Sequence, residues 1–408
     1  MVFTVNLSSL NDVVEEVQAV ESRAKLEKFE SLFEYLKSFM KKRKIVIYGG
    51  TAMNMHLPKD NKIYTDDDFP DFDCFCLNPS KDIEDLANQC NKLNYKYIEI
   101  KHAMHDGTYK LYVDFEPIVD FTKVSKKVHD MVFHNAKLID DYYVTNVKHL
   151  KSAAYLELAI PKSSIFRWTK VIQRVKLLEE EFKNNKSAYS TKSIQFISFN
   201  KKVESSVEKM KDFVIQNDLV LAGNHAIEYY LGDMKLEKNP MSKFMITNSS
   251  GLFQCLSTDM KKTADNMKKI LEKLFKKVTV VENSDGLITP YTSLFIEYFD
   301  DKYTFEKIKL NVCTVYSAED HCYSYVKDKA NDVKIASIFF ILHIMYYSLF
   351  ANDDRIDRVN VKNILNALTK KINIDHFNTE CYGTEMTMNE IRRQRWDDRK
   401  KVVMLRMA

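Results

Sequence analysis

The feature that most limits what this chain can fold into is an internal echo. Residues 45–57 (IVIYGGTAMNMHL) can be laid over residues 219–231 (LVLAGNHAIEYYL) with four identities in thirteen positions and apolar character kept at most others. Each run reads as a short apolar strand, a glycine turn and the first turns of a helix. The echo continues: Asp285-Gly286 answers Asp106-Gly107, and 294–298 (LFIEY) answers 111–115 (LYVDF), followed by a strand ending at Val315. The same elements in the same order predict one domain built twice. A length of 408 residues, too great for one ordinary core, agrees with that.

Around the echo the pattern is legible. Three- and four-residue spacing predicts a helix over 11–42, with Val13, Val14, Val17, Phe29, Leu32, Phe33 and Leu36 on one face. A strand follows at 44–48, a helix at 51–57, an acidic turn at 65–70, a strand at 72–77 and a helix at 81–93. Strands are predicted at 95–101, 108–115 and 118–124, and helical spacing returns over 149–183. This order suits an α/β (α+β) domain with a mixed sheet. The expected limits are an N-terminal helical segment 1–42, a first domain with trailing helices 43–183, a polar linker 184–200, and a second domain with a helical, basic tail 201–408. The apolar run 335–350, 16 residues, is shorter than the ~20 needed to cross a bilayer, and predicts a buried helix. With no secretory signal visible and seven irregularly spaced cysteines read as reduced thiols, a cytosolic chain without a membrane partner is expected. The net charge of +4 expresses no overall preference for nucleic acid. Local clusters at Lys41 to Lys44, Lys201-Lys202 and Arg392 to Lys401 could guide a single strand, though each alone is more often an ordinary charged surface.

The chemistry gathers in the first copy. Glycine is scarce, eight in all, yet Gly49 and Gly50 are adjacent at a strand-to-helix turn and Thr51 follows. Such a turn lets backbone N–H groups approach an anion at a helix N-terminus, although a lone glycine pair is usually a plain tight turn. Neither a P-loop nor a Gly-x-Gly-x-x-Gly motif is present. What distinguishes this turn is Asp71-Phe72-Asp73 some twenty residues later, entering an apolar strand. Alternation puts both acids on one face, where they repel unless a divalent cation such as Mg²⁺ lies between them. A third carboxylate from a neighbouring strand would complete a two-metal site. Asp120 and Asp114 both stand among apolar residues, where an unpaired acid is costly; Asp120 is preferred, because the second copy is read as placing Asn311 there while keeping Glu297 opposite Asp114. The second copy is expected to lack the set: its turn reads Gly223-Asn224-His225, residues 243–245 (KFM) are matched to the acidic strand, and Asn311 to Asp120, with Glu297 opposite Asp114. Asp66, Asp67 and Asp68 read as a solvated loop. Cys74 and Cys76 with His56 could suggest zinc, but two cysteines on a strand are more often core.

With its Gly-Gly turn, Asp-x-Asp strand and further strand Asp, the chain resembles the nucleotidyltransferase superfamily. More narrowly it resembles the poly(A) polymerases of large DNA viruses, of the mimivirus, megavirus and poxvirus type. The segments that carry this are 48–54 (YGGTAMN), 71–75 (DFDCF), 106–110 (DGTYK) and 119–122 (VDFT), with 157–162 (ELAIPK), 167–171 (RWTKV) and 392–396 (RRQRW). The resemblance implies a nucleotidyltransferase fold followed by a second, degenerate copy. It implies Mg²⁺ or Mn²⁺ at Asp71, Asp73 and Asp120, with ATP as substrate. Gly49, Gly50 and Thr51 would hold its β- and γ-phosphates, and Lys170 and Arg174 would contact triphosphate or RNA. The implied partners are the single-stranded 3′ end of mRNA and either a second copy of the chain or a processivity subunit. The implied location is the viral factory in the host cytoplasm, or the virion. Two other readings remain: a CCA-adding or oligoadenylate-type transferase, and a non-catalytic RNA-binding or processivity subunit, against which the intact acids count.

Overall fold

The computed structural model describes residues 7–65, 67–103, 107–183, 196–198, 201–232, 243–245, 251–299, 307–330, 332–351, 358–384 and 390. It divides into two compact units, Met1–Leu150 and Lys151–Ala408. Of the linker expected at 184–200 only residues 196–198 are described, and they form a strand; the basic tail 392–401 and Asp106 lie outside the described residues.

The first unit opens with helix α1 (Leu7–Lys42), whose last turn carries Lys41 and Lys42, where the helix dipole favours cations. Its C-terminal half buries Phe29, Leu32, Leu36 and Met40. Phe29 stacks on Tyr95 and Phe39 on Phe121, at ring-centroid distances of 5.3 and 6.4 Å. The N-terminal half departs from expectation: Val13 and Val17 continue the apolar spacing but are 55% and 51% exposed. Then come β1 (Val46–Tyr48), α2 (Gly49–His56), β2 (Phe72–Cys76) and α3 (Pro79–Lys92), the last started by a proline that needs no N–H partner there. Strands β3 (Ile98–His102), β4 (Thr108–Val113) and β5 (Glu116–Lys123) follow. The β4–β5 loop is the two residues Asp114 and Phe115, both at positive φ (50° and 71°), as a type I′ hairpin requires. Helix α4 (Lys126–His134) is capped by Ser125, whose Oγ accepts the Val128 N–H. The short strands β6 (Lys137–Ile139) and β7 (Tyr142–Val144) complete one seven-stranded mixed sheet of order β3-β4-β5-β2-β1-β7-β6.

The second unit contains helices α5 (Val147–Ala159, counted from Lys151), α6 (Pro161–Ser164) and α7 (Trp168–Glu181). The sequence grouped these helices with the first domain. In the structure Lys151 Nζ donates to Glu179 Oε2 at 2.8 Å, while Tyr155 and Tyr346 both donate to Oε1, so they share the polar interior of the later residues. Next come β8 (Phe196–Ser198), α8 (Lys201–Gln216), β9 (Val220–Ala222), α9 (Gly223–Leu231) and β10 (Lys243–Met245). They are followed by β11 (Phe253–Ser257), α10 (Met260–Glu272), β12 (Val278–Asn283), β13 (Tyr291–Phe299) and β14 (Lys307–Ser317). Last are β15 (Cys322–Asp328), β16 (Val333–Ala336), α11 (Ile338–Phe350), α12 (Arg358–Thr369) and β17 (Cys381–Gly383). Every residue of α11 is buried, as the apolar run predicted, and no helix among the described residues is long and apolar enough to cross a membrane. One expectation about cysteine fails: Cys322 and Cys381 form a disulfide joining β15 to β17, and the other five cysteines are buried free thiols.

The second sheet runs β12-β13-β14-β11-β9-β16-β15-β17, and its first seven strands repeat the first sheet strand for strand. In both, the strand before the glycine turn pairs antiparallel with one neighbour and parallel with the other. Even the bulge is kept, after Leu111 in one hairpin and after Leu294 in the other. The duplication is therefore real, but two of its expected details are corrected. Residues 243–245 pair only with β8, in a separate two-stranded sheet, and the counterpart of β2 is β11. Thirty-one positions separate Gly223 from Gln254 against 24 between Gly49 and Asp73, so a match made without an insertion stops short. Registering β9 on β1 then sets Gln254 at Asp73 and Leu252 at Asp71. It also sets Thr314, not Asn311, at Asp120. Asn311 stands beyond the bulge, where the first unit has Pro117.

Candidate active site

The site is a row of side chains across four strands of the first sheet. Cross-strand register puts Lys110 opposite Asp120, Asp120 opposite Asp73, and Asp73 opposite Tyr48. Directly paired residues share a face, and Asp71 joins that face two positions before Asp73. Exposure is graded: Asp71 is exposed, Asp73 half-buried, and Asp120 only 8% exposed. Burial pushes the Asp120 carboxyl above its ordinary value; the bond and charge of Lys110 oppose this, while the charge of Asp71 adds to it. Lys110 Nζ lies 3.0 Å from Asp120 Oδ2. Burial disfavours its charge, yet the bond to Asp120 and the charges of Asp120 and Asp71 prevail and raise its pKa. Tyr48, at the end of the row, is linked hydroxyl to hydroxyl with Thr122 and Thr122 with Thr108, at 3.0 Å per step, and Tyr48 stacks on Phe75 at 3.9 Å. Burial, then the charge of Asp73, raises the Tyr48 phenol.

The glycine turn meets this row directly. Gly49 has φ +74°, and a Cβ there would stand 2.5 Å from Asp73 Oδ2, so the backbone passes against the carboxylate. Thr51 Oγ1 donates to the Asp71 carbonyl at 2.6 Å, tying the first turn of α2 to the entry of β2. Asn54, one turn further, accepts the Ile63 and Tyr64 N–H groups on Oδ1 and so pins the loop leading to the acids.

The other sequence candidates fall elsewhere. Asp114 occupies the hairpin turn, where Oδ1 accepts the Lys96 and Tyr97 N–H groups and Oδ2 pairs with Lys28 at 2.8 Å. The bond from Lys28 holds its pKa below the usual value. Asp67 and Asp68 are exposed, and Asp66 lies outside the described residues. Cys74 and Cys76 point to the opposite face of β2 from the aspartates, wholly buried, and His56 contacts the Thr145 carbonyl. The basic run 41–44 is largely spent on intramolecular contacts: Lys41 with Asp141, Arg43 with Asp82 and Asp85, Lys44 over Phe133. Lys201 and Lys202 are exposed at the start of α8. Lys170 and Arg174 lie on α7 in the second unit, Lys170 exposed and Arg174 8% exposed. Both place positive charge near Glu157, which burial nevertheless pushes up.

Among the described residues no three His, Cys, Asp or Glu side chains are already drawn into a cage for an ion. The donor set nonetheless fits a hard divalent cation: carboxylate oxygens from adjacent strands, one acid open to solvent, and Lys110 supplying positive charge to the most buried one. The corresponding row of the second unit does not fit a cation. It is Ser293, Thr314, Gln254 and Ala222, neutral throughout, with Ser293 and Thr314 bonded at 3.0 Å and Asn311 Nδ2 donating to both. A Cβ at Gly223 would meet Gln254 Cδ at 2.3 Å, repeating the close approach without the charge. The sequence reading missed Lys110 and Gln254, because only strand register brings either into the row.

A mixed sheet with an acid row beside a glycine turn, carried twice but charged once, is the arrangement that the resemblance to nucleotidyltransferases implies. Residues 34–164 match the family model described as Poly(A) polymerase catalytic subunit. A curated African swine fever virus protein, provisionally named a poly(A) polymerase catalytic subunit, is 28% identical over 171 residues, 40% of this chain and 36% of that one. A protein of the same provisional name from Acanthamoeba polyphaga mimivirus is 29% identical over 159 residues, 37% of this chain and 26% of the relative. The chain thus spans about a third of the length of the curated relatives it matches. In fold, it is similar over 98% of its length to the crystal structure of the Megavirus polyadenylate synthase, with TM-score 0.80, 20% identity and 85% of that chain covered. The family resemblance drawn from the motifs is therefore met by family model, relatives and fold alike.

Proposed function

We propose that the chain is a template-independent poly(A) polymerase that transfers AMP from ATP to the 3′-hydroxyl of an mRNA. The observation that supports this best is the row Asp73–Asp120, with Asp71 beside it, set against the Gly49 turn. In the reaction the primer 3′-oxygen bonds to the α-phosphorus as the bond to pyrophosphate breaks. Mg²⁺ or Mn²⁺ held by Asp71, Asp73 and Asp120 would supply activation of that hydroxyl and neutralise the departing pyrophosphate. Gly49, Gly50 and Thr51 offer backbone N–H donors at the start of α2, suited to the β- and γ-phosphates, while the Thr51 hydroxyl is given to the Asp71 carbonyl. Asp120, the most buried of the three acids, is assigned to the side of the primer hydroxyl. Lys170 and Arg174 on α7 are assigned to phosphate contacts of triphosphate or RNA. The RNA partner is a single-stranded 3′ end, and a second copy of the chain or a processivity subunit would lengthen each encounter.

The test is incorporation on a labelled RNA primer with each nucleoside triphosphate supplied alone. A long tail from ATP only is the expected result, whereas incorporation of CTP, or synthesis without primer, sinks polyadenylation in favour of another transferase. Asp73→Ala should reduce the rate at least about 100-fold, with the fold kept by circular dichroism. An unchanged rate removes the site as drawn.

A further inference from the structure

Lys110 is a charged residue that the proposed chemistry leaves without a task. It is held in the acid row by strand register, not by a flexible reach: β4 places it directly opposite Asp120. Its side chain is 27% exposed and its ammonium touches the most buried of the three acids. A structural ion pair would explain that much. The second unit argues otherwise. There the same fold, with the same bulge beside this position, has Ser293 for Lys110, and it has Leu252, Gln254 and Thr314 for the three acids. The lysine and the acids are lost together, so the lysine serves the carboxylates and not the sheet.

We propose that Lys110 is an exchangeable counter-ion for Asp120: a positioning residue that keeps the acid row intact without metal and yields Asp120 to the divalent cation. The inference rests on the metal site assigned above. Three carboxylates on one face, one of them buried, repel each other, and the Lys110 ammonium 3.0 Å from Asp120 offsets this at the buried one. The same ammonium opposes a second cation at the same oxygens. Lys110 therefore trades metal affinity for the order of the metal-free site.

The experiment measures Mn²⁺ binding by loss of the free-ion electron paramagnetic resonance signal, and thermal unfolding with and without Mn²⁺. It uses full-length wild type, Lys110→Met, Lys110→Arg, Asp120→Asn, Asp73→Ala and Lys110→Met/Asp120→Asn. Lys110→Met should bind Mn²⁺ on the order of tenfold more tightly, from removal of one nearby positive charge. Its metal-free Tm should fall by a few degrees, and Mn²⁺ should raise that Tm by more than it does in wild type. Lys110→Arg should restore wild-type behaviour. Against an Asp120→Asn background the lysine substitution should change Mn²⁺ affinity little, showing that it acts through Asp120. Unchanged or weaker Mn²⁺ binding by a folded Lys110→Met protein overturns the assignment. If Asp73→Ala binds Mn²⁺ as wild type does, the metal site itself fails. If Asp73→Ala abolishes binding while Lys110→Met does not tighten it, only the lysine assignment falls.

Discussion

At Gly49 the backbone and a carboxylate compete for the same space, and glycine is the residue that lets both stay. Its φ of +74° disfavours any L side chain, and an added Cβ would fall 2.5 Å from Asp73 Oδ2. Gly49→Ala should therefore cost about 1–3 kcal/mol and also displace Asp73, so activity and stability fall together. Gly223→Ala meets the Gln254 side chain at 2.3 Å and has φ +57°; it should cost similar stability while leaving the rate per folded molecule unchanged. Denaturation midpoints and initial rates on the two variants check this, and equal losses of rate would count against the first unit as the only active one. Asp114 supplies the complementary case. Its folded pKa is depressed by Lys28, so its contribution is present above the unfolded value of 3.8 and lost as pH falls through the folded value. Asn tolerates the positive φ and keeps the acceptor for the Lys96 and Tyr97 N–H groups, so Asp114→Asn should cost about 0–1 kcal/mol at pH 7. That difference should shrink at pH 3, and the variant should keep full activity; a large loss of rate would restore Asp114 as a metal-ligand candidate. Asp71 and Asp73 were legible as a pair because an apolar strand frames them at period two. Lys110 was not, because its partner lies ten residues on, across a bulged hairpin.

Among the elements, those with long periodic signals were read to within a few residues: α3 begins at Pro79 and β5 at Glu116, each two residues before its expected start. The three-residue strands β6 and β7 carry too few positions to show a period, although Asp140 and Asp141, both at positive φ, form the same kind of two-residue hairpin as Asp114 and Phe115. Helix α1 shows the opposite failure, since a correct apolar spacing at Val13 and Val17 does not guarantee a surface to bury against. Helix α11 was clear because it is apolar on all sides, and such a helix must be central to a core. It also carries His343, fully buried, with Nδ1 at 2.9 Å from the Ser152 carbonyl and Nε2 without a partner among the described residues. Burial lowers its pKa from 6.5 to about 4, and His225 on α9 is lowered to about 4 as well, first by burial and then by Lys211. The unfolded chain takes up these protons first, so each neutral ring stabilises the fold above pH 6.5 and that stability drains away as pH falls toward 4. The loss is about 3 kcal/mol for each histidine. Urea midpoints of the wild-type protein should fall steeply across this window, and His343→Gln should flatten the slope by about one proton. A His343→Gln slope equal to that of wild type would show that the ring is already charged in the fold.

The molecule as a whole contains its own control. The two sheets share strand order, bulge and glycine turn, so position 73 in one and position 254 in the other are the same place in the same fold. Physics assigns them opposite costs. Asp73 is half-buried with the carboxylates of Asp71 and Asp120 on the same face, and their like charge offsets part of what its own contacts contribute. Gln254 is 2% exposed, its Nε2 donates to the Gly251 carbonyl, and it fills the space against Gly223. Removing it opens a cavity and strips a buried carbonyl of its partner, a loss of about 2–4 kcal/mol. Asp73→Ala should therefore change metal-free stability little and extinguish nucleotide transfer. Gln254→Ala should lower stability by those few kcal/mol and leave transfer by the folded fraction intact. Unfolding curves and primer-extension rates on the two proteins, measured in parallel, read both effects. Loss of transfer in a folded Gln254→Ala protein would mean that the second unit contributes to the chemistry after all. This crossed outcome also explains what the sequence could and could not convey. The duplication was visible because strand–turn–helix patterning is local and survives divergence. The exact positions left behind by the acids were not, because they are defined by which strands lie side by side, and an insertion before β11 hid that register.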